Sequence, residues 1–227
     1  MANVSYKGSG VSIHTATKTV DPLAEGAEQA VVLDFTHAGD INAFTSVGTS
    51  SFTATAIAGA GEATITAGGS KAKLIYPNIS GTSANRRMTV SARIKSADPV
   101  EAGHGIFVGF AEAVAIANVM TTAGALRAAA DGKDMVGFYK DVAGNLDYYA
   151  SSGSTEGVNE VDSGFDMAAD TYVNLGVEIV GNVVNFFRDG VLVKTYSGMH
   201  DQDATLVPMI VCSEDEVVTI SAFAAGM

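Results

Sequence analysis

The chain of 227 residues has one cysteine, four prolines and no tryptophan. A single cysteine, Cys212, cannot form an intramolecular disulfide, and a chain of this length buries enough apolar surface to fold without one. Cys212 follows the apolar run Leu-Val-Pro-Met-Ile-Val at positions 206–211, and no basic residue lies close to it in sequence to activate its thiol. We therefore expect a buried and unreactive cysteine side chain.

Basic residues are scarce, since 13 Lys and Arg stand against 25 Asp and Glu and the formal net charge is -12. This charge repels phosphate backbones, and only Arg86 and Arg87 are adjacent, so nucleic acid is not expected as a partner. The chain has no uninterrupted apolar run of about 18 residues, and its first residues lack the pattern of a signal peptide. These features predict a soluble protein without membrane contact, synthesised in the cytoplasm.

Residues 1–30 differ in composition from the rest of the chain. They are polar and rich in threonine, with isolated apolar residues at Val11, Ile13, Val20 and Leu23. Such a segment cannot bury its own apolar side chains, so it either stays mobile or orders against a partner. We interpret residues 1–30 as an extended N-terminal arm, and composition does not decide between these two states.

Short β-prone runs separated by turn residues occupy positions 31–227. The predicted strands are 31–35, 51–57, 62–67, 73–76, 88–95, 106–110, 135–140, 146–150, 206–211 and 216–223. A loop is predicted at 36–42, a loop with one short helix at 111–130, and a Gly/Ser-rich loop at 151–164. Many short strands without a long helix favour a β-sandwich or a barrel.

Residues 172–196 carry the strongest local signal. Three β-prone runs are separated first by Gly181-Asn182 and then by Asp189-Gly190. These dipeptides tolerate the positive φ angles of two-residue hairpin turns. The segment therefore predicts a three-stranded antiparallel meander.

Residues 88–223 resemble the concanavalin A-like and laminin G-like jelly rolls. An aromatic residue, Tyr172, opens the long strand, the next strand ends in an Asp-Gly turn, and a strand containing Pro208 precedes the final one. Tyr172 stands where tryptophan is common in those domains. The resemblance implies an all-β fold, an antiparallel β-sandwich of the jelly-roll type over residues 31–227, preceded by the extended arm.

The Ala/Thr/Gly-rich composition and the polar arm resemble bacteriophage virion proteins, in particular capsid decoration or cement proteins that carry a jelly roll. The resemblance implies a non-enzymatic protein on the capsid surface of a tailed phage, made in the host cytoplasm and needing no cofactor. Its partners would be the major capsid protein and neighbouring copies of itself. The partner-binding anchors would be Val11, Ile13, Val20 and Leu23. The alternative is a receptor- or glycan-binding module of a phage fibre or tail.

Catalytic motifs are not found. Retaining glycosidases of this fold need two carboxylates roughly 5 to 5.5 Å apart, and their Glu-x-Asp-x-x-Glu pattern is missing. The acidic run 214–216 has the wrong spacing and is interpreted as a solvated turn. His14, His37, His104 and His200 lie far apart in predicted arm or loop segments, without a Gly-x-Ser-x-Gly elbow. We expect these histidines to be exposed or locally hydrogen-bonded.

Ligand sites have weaker signals. Loop carboxylates that are available to a calcium ion are Asp131, Asp134, Asp141, Asp201 and Asp203, but none has EF-hand-like spacing. Tyr148, Tyr149 and the aromatic residues of 136–139 offer faces for stacking on a sugar. Alternating aromatic residues in strands more often pack a core, so we predict neither a metal nor a glycan site.

Overall fold

The computed structural model describes residues 30–35, 38–48, 51–57, 60–66, 72–84, 86–100, 105–112, 119–121, 125–126, 133–141, 143–152, 155–213 and 216–227. The predicted arm, with its anchors Val11, Ile13, Val20 and Leu23, therefore lies outside the described residues. So do His14, His37 and His104. The described residues contain no helix that is both long and apolar enough to cross a membrane.

Fifteen strands and one short 3-10 helix make up the described structure. The strands are β1 (Ala30–Leu33), β2 (Phe44–Val47), β3 (Ser51–Ile57), β4 (Ala60–Thr66), β5 (Ala72–Pro77), β6 (Arg87–Ser96), β7 (Ile106–Ala111), β8 (Met135–Lys140), β9 (Asn145–Ser152), β10 (Thr155–Asp166), β11 (Val173–Val180), β12 (Val183–Arg188), β13 (Val191–Ser197), β14 (Val207–Ser213) and β15 (Val217–Gly226). The helix spans Ala38–Ala43.

The strands form two antiparallel sheets. The eight-stranded sheet has the order β13-β12-β11-β6-β15-β4-β3, with β1 also paired to β15. The seven-stranded sheet has the order β10-β9-β8-β7-β14-β5-β2. Both sheets combine hairpin-connected neighbours with pairs of strands that are distant in sequence, such as β6 with β15 and β7 with β14, which is the connectivity of a jelly roll. The predicted antiparallel β-sandwich is confirmed.

The meander predicted at 172–196 is confirmed as β11, β12 and β13. Gly181 has φ of 58° at the first central position of the first turn, as a type II′ turn requires. Asp189 and Gly190 have φ of 51° and 77°, which gives a type I′ turn. Both turns match the twist of the flanking strands, so two dipeptides fix the register of this half of the eight-stranded sheet.

The main core lies between the two sheets and is closed by aromatic side chains at both ends. Phe138 and Tyr148 of the seven-stranded sheet meet Phe186 of β12, with ring centroids 5.2 and 5.1 Å from that of Phe186. Phe44 of β2 meets Phe223 of β15 at 5.0 Å. Each such pair adds about 0.5–1.5 kcal/mol beyond the apolar area that it buries. Cys212 is buried, as predicted.

Three sequence-based assignments are corrected. The segment 151–164 was expected to be a loop, but β9 continues to Ser152 and Thr155–Asp166 forms the edge strand β10, which pairs with β9 through three register shifts. Phe44–Val47 forms β2, for which no strand was predicted, and part of the loop predicted at 36–42 is the helix Ala38–Ala43. The loop with one short helix predicted at 111–130 stays a prediction, because most of this segment lies outside the described residues, which include an isolated bridge between Met120 and Leu126.

Candidate functional site

The outer face of the seven-stranded sheet is covered by a second apolar cluster. Its members are Phe107, Ala111, Val119, Met120, Met135, Tyr139, Tyr149, Met209 and Val211. Val119 and Met120 come from the connection between β7 and β8, so this connection packs onto the sheet. Tyr139 and Tyr149 are buried here and Tyr148 is buried in the main core, which confirms that these aromatic side chains pack cores. None of the three presents an open face to a sugar.

Two glycines allow this cluster to pack closely on the sheet. Gly109 of β7 and Gly137 of β8 are directly opposite each other on the outer face. A Cβ added to Gly137 would lie 2.6 Å from Cε2 of Phe107, and one added to Gly109 would lie 3.0 Å from its Cζ. The ring of Phe107 therefore covers both glycines. Phe107 fills the centre of a face that would otherwise be a shallow groove.

A pair of carboxylates at the edge of this face was missed by the sequence analysis. Asp147 of β9 and Asp162 of β10 are direct cross-strand partners, which the expected loop at 151–164 concealed. Asp162 is exposed and accepts a hydrogen bond of 2.7 Å from the amide of Gly164. Asp147 is only 5% exposed. Two acids that act on a substrate must both reach it, and Asp147 is closed to solvent.

His200 is buried and binds a residue distant in sequence, contrary to the expectation of an exposed or locally bonded side chain. Its Nε2 lies 2.8 Å from Oγ of Ser83, in the connection between β5 and β6. Burial lowers the pKa of His200, while Asp134 and Asp201 nearby raise it. His200 joins the β13–β14 connection to the β5–β6 connection at one end of the sandwich.

The Ser83–His200 pair does not form a catalytic triad. Ser83 is 0% exposed, so its hydroxyl does not reach a substrate. No carboxylate is hydrogen-bonded to Nδ1 of His200, and the backbone of Gly181, which interacts with the ring, raises its pKa. A triad requires a third group that orients the imidazole through Nδ1. The pair therefore serves to hold the two connections together.

The fold brings Asp134, Asp201 and Asp203 to one end of the sandwich and places Asp141 away from them. The Oδ2 of Asp134 accepts a hydrogen bond of 2.6 Å from the amide of Asp201, and Oδ1 of Asp201 accepts one of 2.9 Å from the amide of Asp203. Asp141 follows β8 at the opposite end of that strand, and Asp131 lies outside the described residues. Across the described part of the chain, no group of three or more His, Cys, Asp or Glu is arranged to hold a metal ion.

Glu216 does not lie in a solvated turn, and this expectation was wrong. Its side chain is fully buried and forms an ion pair with Lys140, with 3.0 Å between Nζ and Oε2. The hydroxyl of Ser96 donates a hydrogen bond of 2.7 Å to Oε1. Glu214 and Asp215 lie outside the described residues. The arrangement ties the two sheets together and is closed to solvent.

The outer face of the eight-stranded sheet carries a polar cluster around Tyr172. The guanidinium carbon of Arg93 lies 3.9 Å from the centre of the Tyr172 ring, and Nζ of Lys95 lies 5.0 Å from it. The Tyr172 hydroxyl donates a hydrogen bond to Glu62, and Arg93 donates one of 2.8 Å to Ser221. These contacts give the aromatic residue that opens the long strand a structural role. Further along this face, Arg87 pairs with Glu178.

Comparison with known proteins supports the fold alone. No protein-family model matches the sequence, and no curated protein is similar to it. A protein of unknown function from Shewanella oneidensis MR-1 is similar in structure, with a TM-score of 0.59, 12% identity and coverage of 97% of this chain and 96% of the other.

Two further solved structures carry named activities. The carbohydrate recognition domain of Emp47p has a TM-score of 0.55 and 10% identity, over 82% of this chain and 88% of that domain. A carbohydrate esterase from the Shiga toxin-encoding bacteriophage phi24B has a TM-score of 0.56 and 13% identity, over 87% of this chain and 97% of the esterase chain. At these identities the likeness shows shared architecture and no shared activity. The chain therefore has a concanavalin A-like jelly-roll fold.

Proposed function

We propose that this protein is a non-enzymatic structural component of a tailed-bacteriophage virion that decorates the outer shell and stabilises it. The observation that carries the proposal is the filled outer face of the seven-stranded sheet, where Phe107 covers the glycine pair and Tyr139 and Tyr149 are buried. A sandwich whose sheet face is filled with apolar side chains has lost the open groove in which a glycosidase would hold a sugar chain.

The described side chains also favour a structural role. Glu216 and Lys140 are fully buried with each other, Ser83 is closed to solvent, and Asp147 is almost fully buried. These four polar groups are thus held inside the fold. The proposed virion role agrees with this distribution, because a decoration protein needs a rigid body and a docking surface but no reactive centre.

The N-terminal arm supplies the docking element in this proposal. Ordering an extended segment costs roughly 1–2 kcal/mol per residue, which added main-chain pairing and apolar anchors must offset. Val11, Ile13, Val20 and Leu23 are the proposed anchors on the major capsid protein or on neighbouring copies. Many symmetry-related copies make a weak individual contact effective through avidity.

The test is co-sedimentation with shells of the phage that encodes the protein, purified without it. The full chain should bind, while a variant with Val11, Ile13, Val20 and Leu23 all replaced by serine should lose binding and keep its thermal unfolding midpoint. Deletion of residues 1–25 should have the same effect. Retained binding by both variants would exclude the arm as the docking element.

The second candidate is a receptor- or glycan-binding module of a phage fibre or tail. It is favoured by the hydrogen bonds that bring Asp134, Asp201 and Asp203 to one end of the sandwich, although these three carboxylates are not arranged to hold a metal ion in the described structure. The Emp47p domain of similar architecture is named for carbohydrate recognition. A glycan array probed with and without a chelator separates the two candidates, because only the second predicts chelator-sensitive binding.

A further inference from the structure

The strand β13 forms one edge of the eight-stranded sheet, and within the described part of the chain no strand pairs with its outer side. All of its side chains are exposed or half-buried, and Val191 and Leu192 are 63% and 52% exposed. An edge strand that presents unpaired N–H and C=O groups beside apolar side chains is a template for pairing with another extended chain. The strand β13 is therefore an open edge to which a further strand can be added.

The edge strand β10 of the seven-stranded sheet lies on the same side of the sandwich as β13. Tyr148 of β9 and Tyr196 of β13 meet with ring centroids 6.1 Å apart. The guanidinium carbon of Arg188, at the end of β12, lies 4.2 Å from the ring centre of Phe165 in β10. These contacts between the two sheets place Arg188 beside the open edge. We refer to β13 together with Arg188 as the basic edge.

Two cations of the basic edge, Arg188 and Lys194, form no ion pair with any described residue. Nζ of Lys194 lies 5.0 Å from the ring centre of Tyr196. Lys194 is paired with Phe186, two positions before Arg188, so both cations lie on one face of the sheet. Six other described basic side chains have hydrogen-bond or ion-pair partners, namely Lys73, Arg87, Arg93, Lys95, Lys133 and Lys140.

The contacts of Arg188 and Lys194 leave both cations available to an anion. A cation above an aromatic ring retains its N–H donors, because the ring attracts the charge without accepting conventional hydrogen bonds. Elsewhere the chain is dominated by acidic residues, with a formal net charge of -12, and such a surface repels an acidic partner. The basic edge therefore favours an acidic partner.

The geometry of the basic edge fits an acidic polypeptide better than an acidic sugar. Arg188 lies over the ring of Phe165 and Lys194 over that of Tyr196, and both rings also pack against the main core, so neither is open for stacking on a sugar. The register shift of β13 lies nearer its start, and residues 194–197 pair regularly with β12. A second copy of β13 would bring another Lys194 to the same edge, and like charges on paired strands are destabilising.

We propose that the basic edge binds an extended acidic segment of a partner protein, which adds a strand to β13. The main chain of the segment hydrogen-bonds the outer side of β13, and its acidic side chains reach Lys194 and Arg188. Apolar side chains of the segment cover Val191 and Leu192. The inference goes beyond the proposed virion role and does not depend on it, because it concerns the jelly-roll body and not the N-terminal arm.

Fluorescence anisotropy with short labelled peptides and the full-length protein tests this assignment. The probe is a peptide of alternating Thr and Val with two Glu residues at its centre, and a matched peptide carries Gln in place of both Glu residues. We expect the Glu peptide to bind about tenfold more tightly than the Gln peptide. A Glu peptide whose main-chain amides are all methylated cannot donate to the edge of a sheet, so we expect it not to bind.

Variants of the protein assign the binding to the basic edge. Lys194→Gln and Arg188→Gln should each weaken binding of the Glu peptide about threefold, and the double variant about tenfold, because exposed ion pairs contribute little individually. The thermal unfolding midpoint should not change. The matched control is Lys133→Gln, which removes a cation that is paired with Glu112, and it should leave peptide binding unchanged.

The proposal is overturned if the Glu and Gln peptides bind equally, if neither binds, or if the double variant binds the Glu peptide as tightly as the unmodified protein. Retained binding of the methylated peptide would exclude strand addition and leave charge attraction alone. Binding of an oligogalacturonate that is lost in the double variant, without binding of the Glu peptide, would overturn the proposal in favour of an acidic sugar.

Discussion

Lys140 and Glu216 form an ion pair in which both side chains are fully buried, with 3.0 Å between Nζ and Oε2. Lys140 ends β8 of the seven-stranded sheet, and Glu216 also accepts from Ser96 of β6 in the eight-stranded sheet. Burial lowers the pKa of Lys140, and the attraction of Glu216 opposes that shift. The pair links the two sheets across an interior that is otherwise apolar.

Removing one member of this pair should be strongly destabilising. Glu216→Ala leaves the Lys140 ammonium buried without a counter-charge, so we expect a loss of about 3–5 kcal/mol in the free energy of unfolding. Urea denaturation of the full chain measures the loss. As a control, Lys133→Met breaks the partly exposed pair with Glu112 and should cost about 1 kcal/mol or less.

The double variant Lys140→Met with Glu216→Leu separates the cost of an unpaired charge from the value of the pair. Apolar residues of similar volume often replace a buried ion pair at little cost. We expect the double variant to be more stable than Glu216→Ala. An equal or larger loss in the double variant would show that the ion pair itself stabilises the contact between the sheets.

Gly137→Ala should destabilise the filled outer face. The new Cβ would meet Phe107 Cε2 and the carbonyl oxygen of Val108, each at 2.6 Å, and the backbone oxygen is held by the sheet. Overpacking of this kind costs about 1–3 kcal/mol. Gly164→Ala is the control, because nothing lies within 4 Å of its added Cβ and its φ of 69° alone costs about 1 kcal/mol. Equal losses for the two variants would contradict close packing of Phe107 on Gly137.

Local signals in the sequence were sufficient to predict the meander but not to predict the strand β10. Gly181 and Asp189-Gly190 encode their turns through backbone conformation, which depends on the residues at those positions. Residues 155–166 are rich in polar residues and glycine, and they form a strand through pairing with β9. Strand preference depends strongly on the neighbouring strand, and a single sequence does not reveal that neighbour.

Local sequence was an even poorer guide to the burial of the candidate site residues. Glu216 belongs to an acidic run, so a solvated turn was predicted for it. His200 lies in a polar loop segment, so an exposed or locally hydrogen-bonded side chain was predicted. Their partners, Lys140 and Ser83, are 76 and 117 positions away. Burial of a charged or titratable group depends on such distant partners. The burial of Cys212 was predicted correctly because the residues that precede it are apolar.

The hydrogen bond from Tyr172 to Glu62 should be measurable by a double-mutant cycle. Tyr172→Phe keeps the ring under Arg93 but removes the hydroxyl, so we expect a loss of about 1 kcal/mol, reduced when Glu62→Gln is already present. Burial, followed by the bond to Glu62, raises the pKa of Tyr172 above its ordinary value. The stability that the protonated Tyr172 hydroxyl contributes is therefore present below about pH 10 and declines as the pH rises further. Additive losses would show that the two side chains do not interact.

His200 should make the fold sensitive to mild acid. Burial lowers the pKa of His200 below 6.5, although Asp134 and Asp201 partly oppose the shift. The unfolded chain therefore binds a proton at a higher pH than the folded chain, and the stability contributed by neutral His200 is lost as the pH falls from about 7 through the lowered pKa.

Urea denaturation at a series of pH values from about 7.5 to 5 tests this. His200→Gln cannot titrate and retains a group that hydrogen-bonds Ser83, so its stability should fall less over this range than that of the unmodified chain. Ser83→Ala is the matched control, because it removes the hydroxyl partner and leaves the buried imidazole to titrate. If His200→Gln and the unmodified chain lose stability in parallel, carboxylates rather than His200 control the acid response of this end of the sandwich.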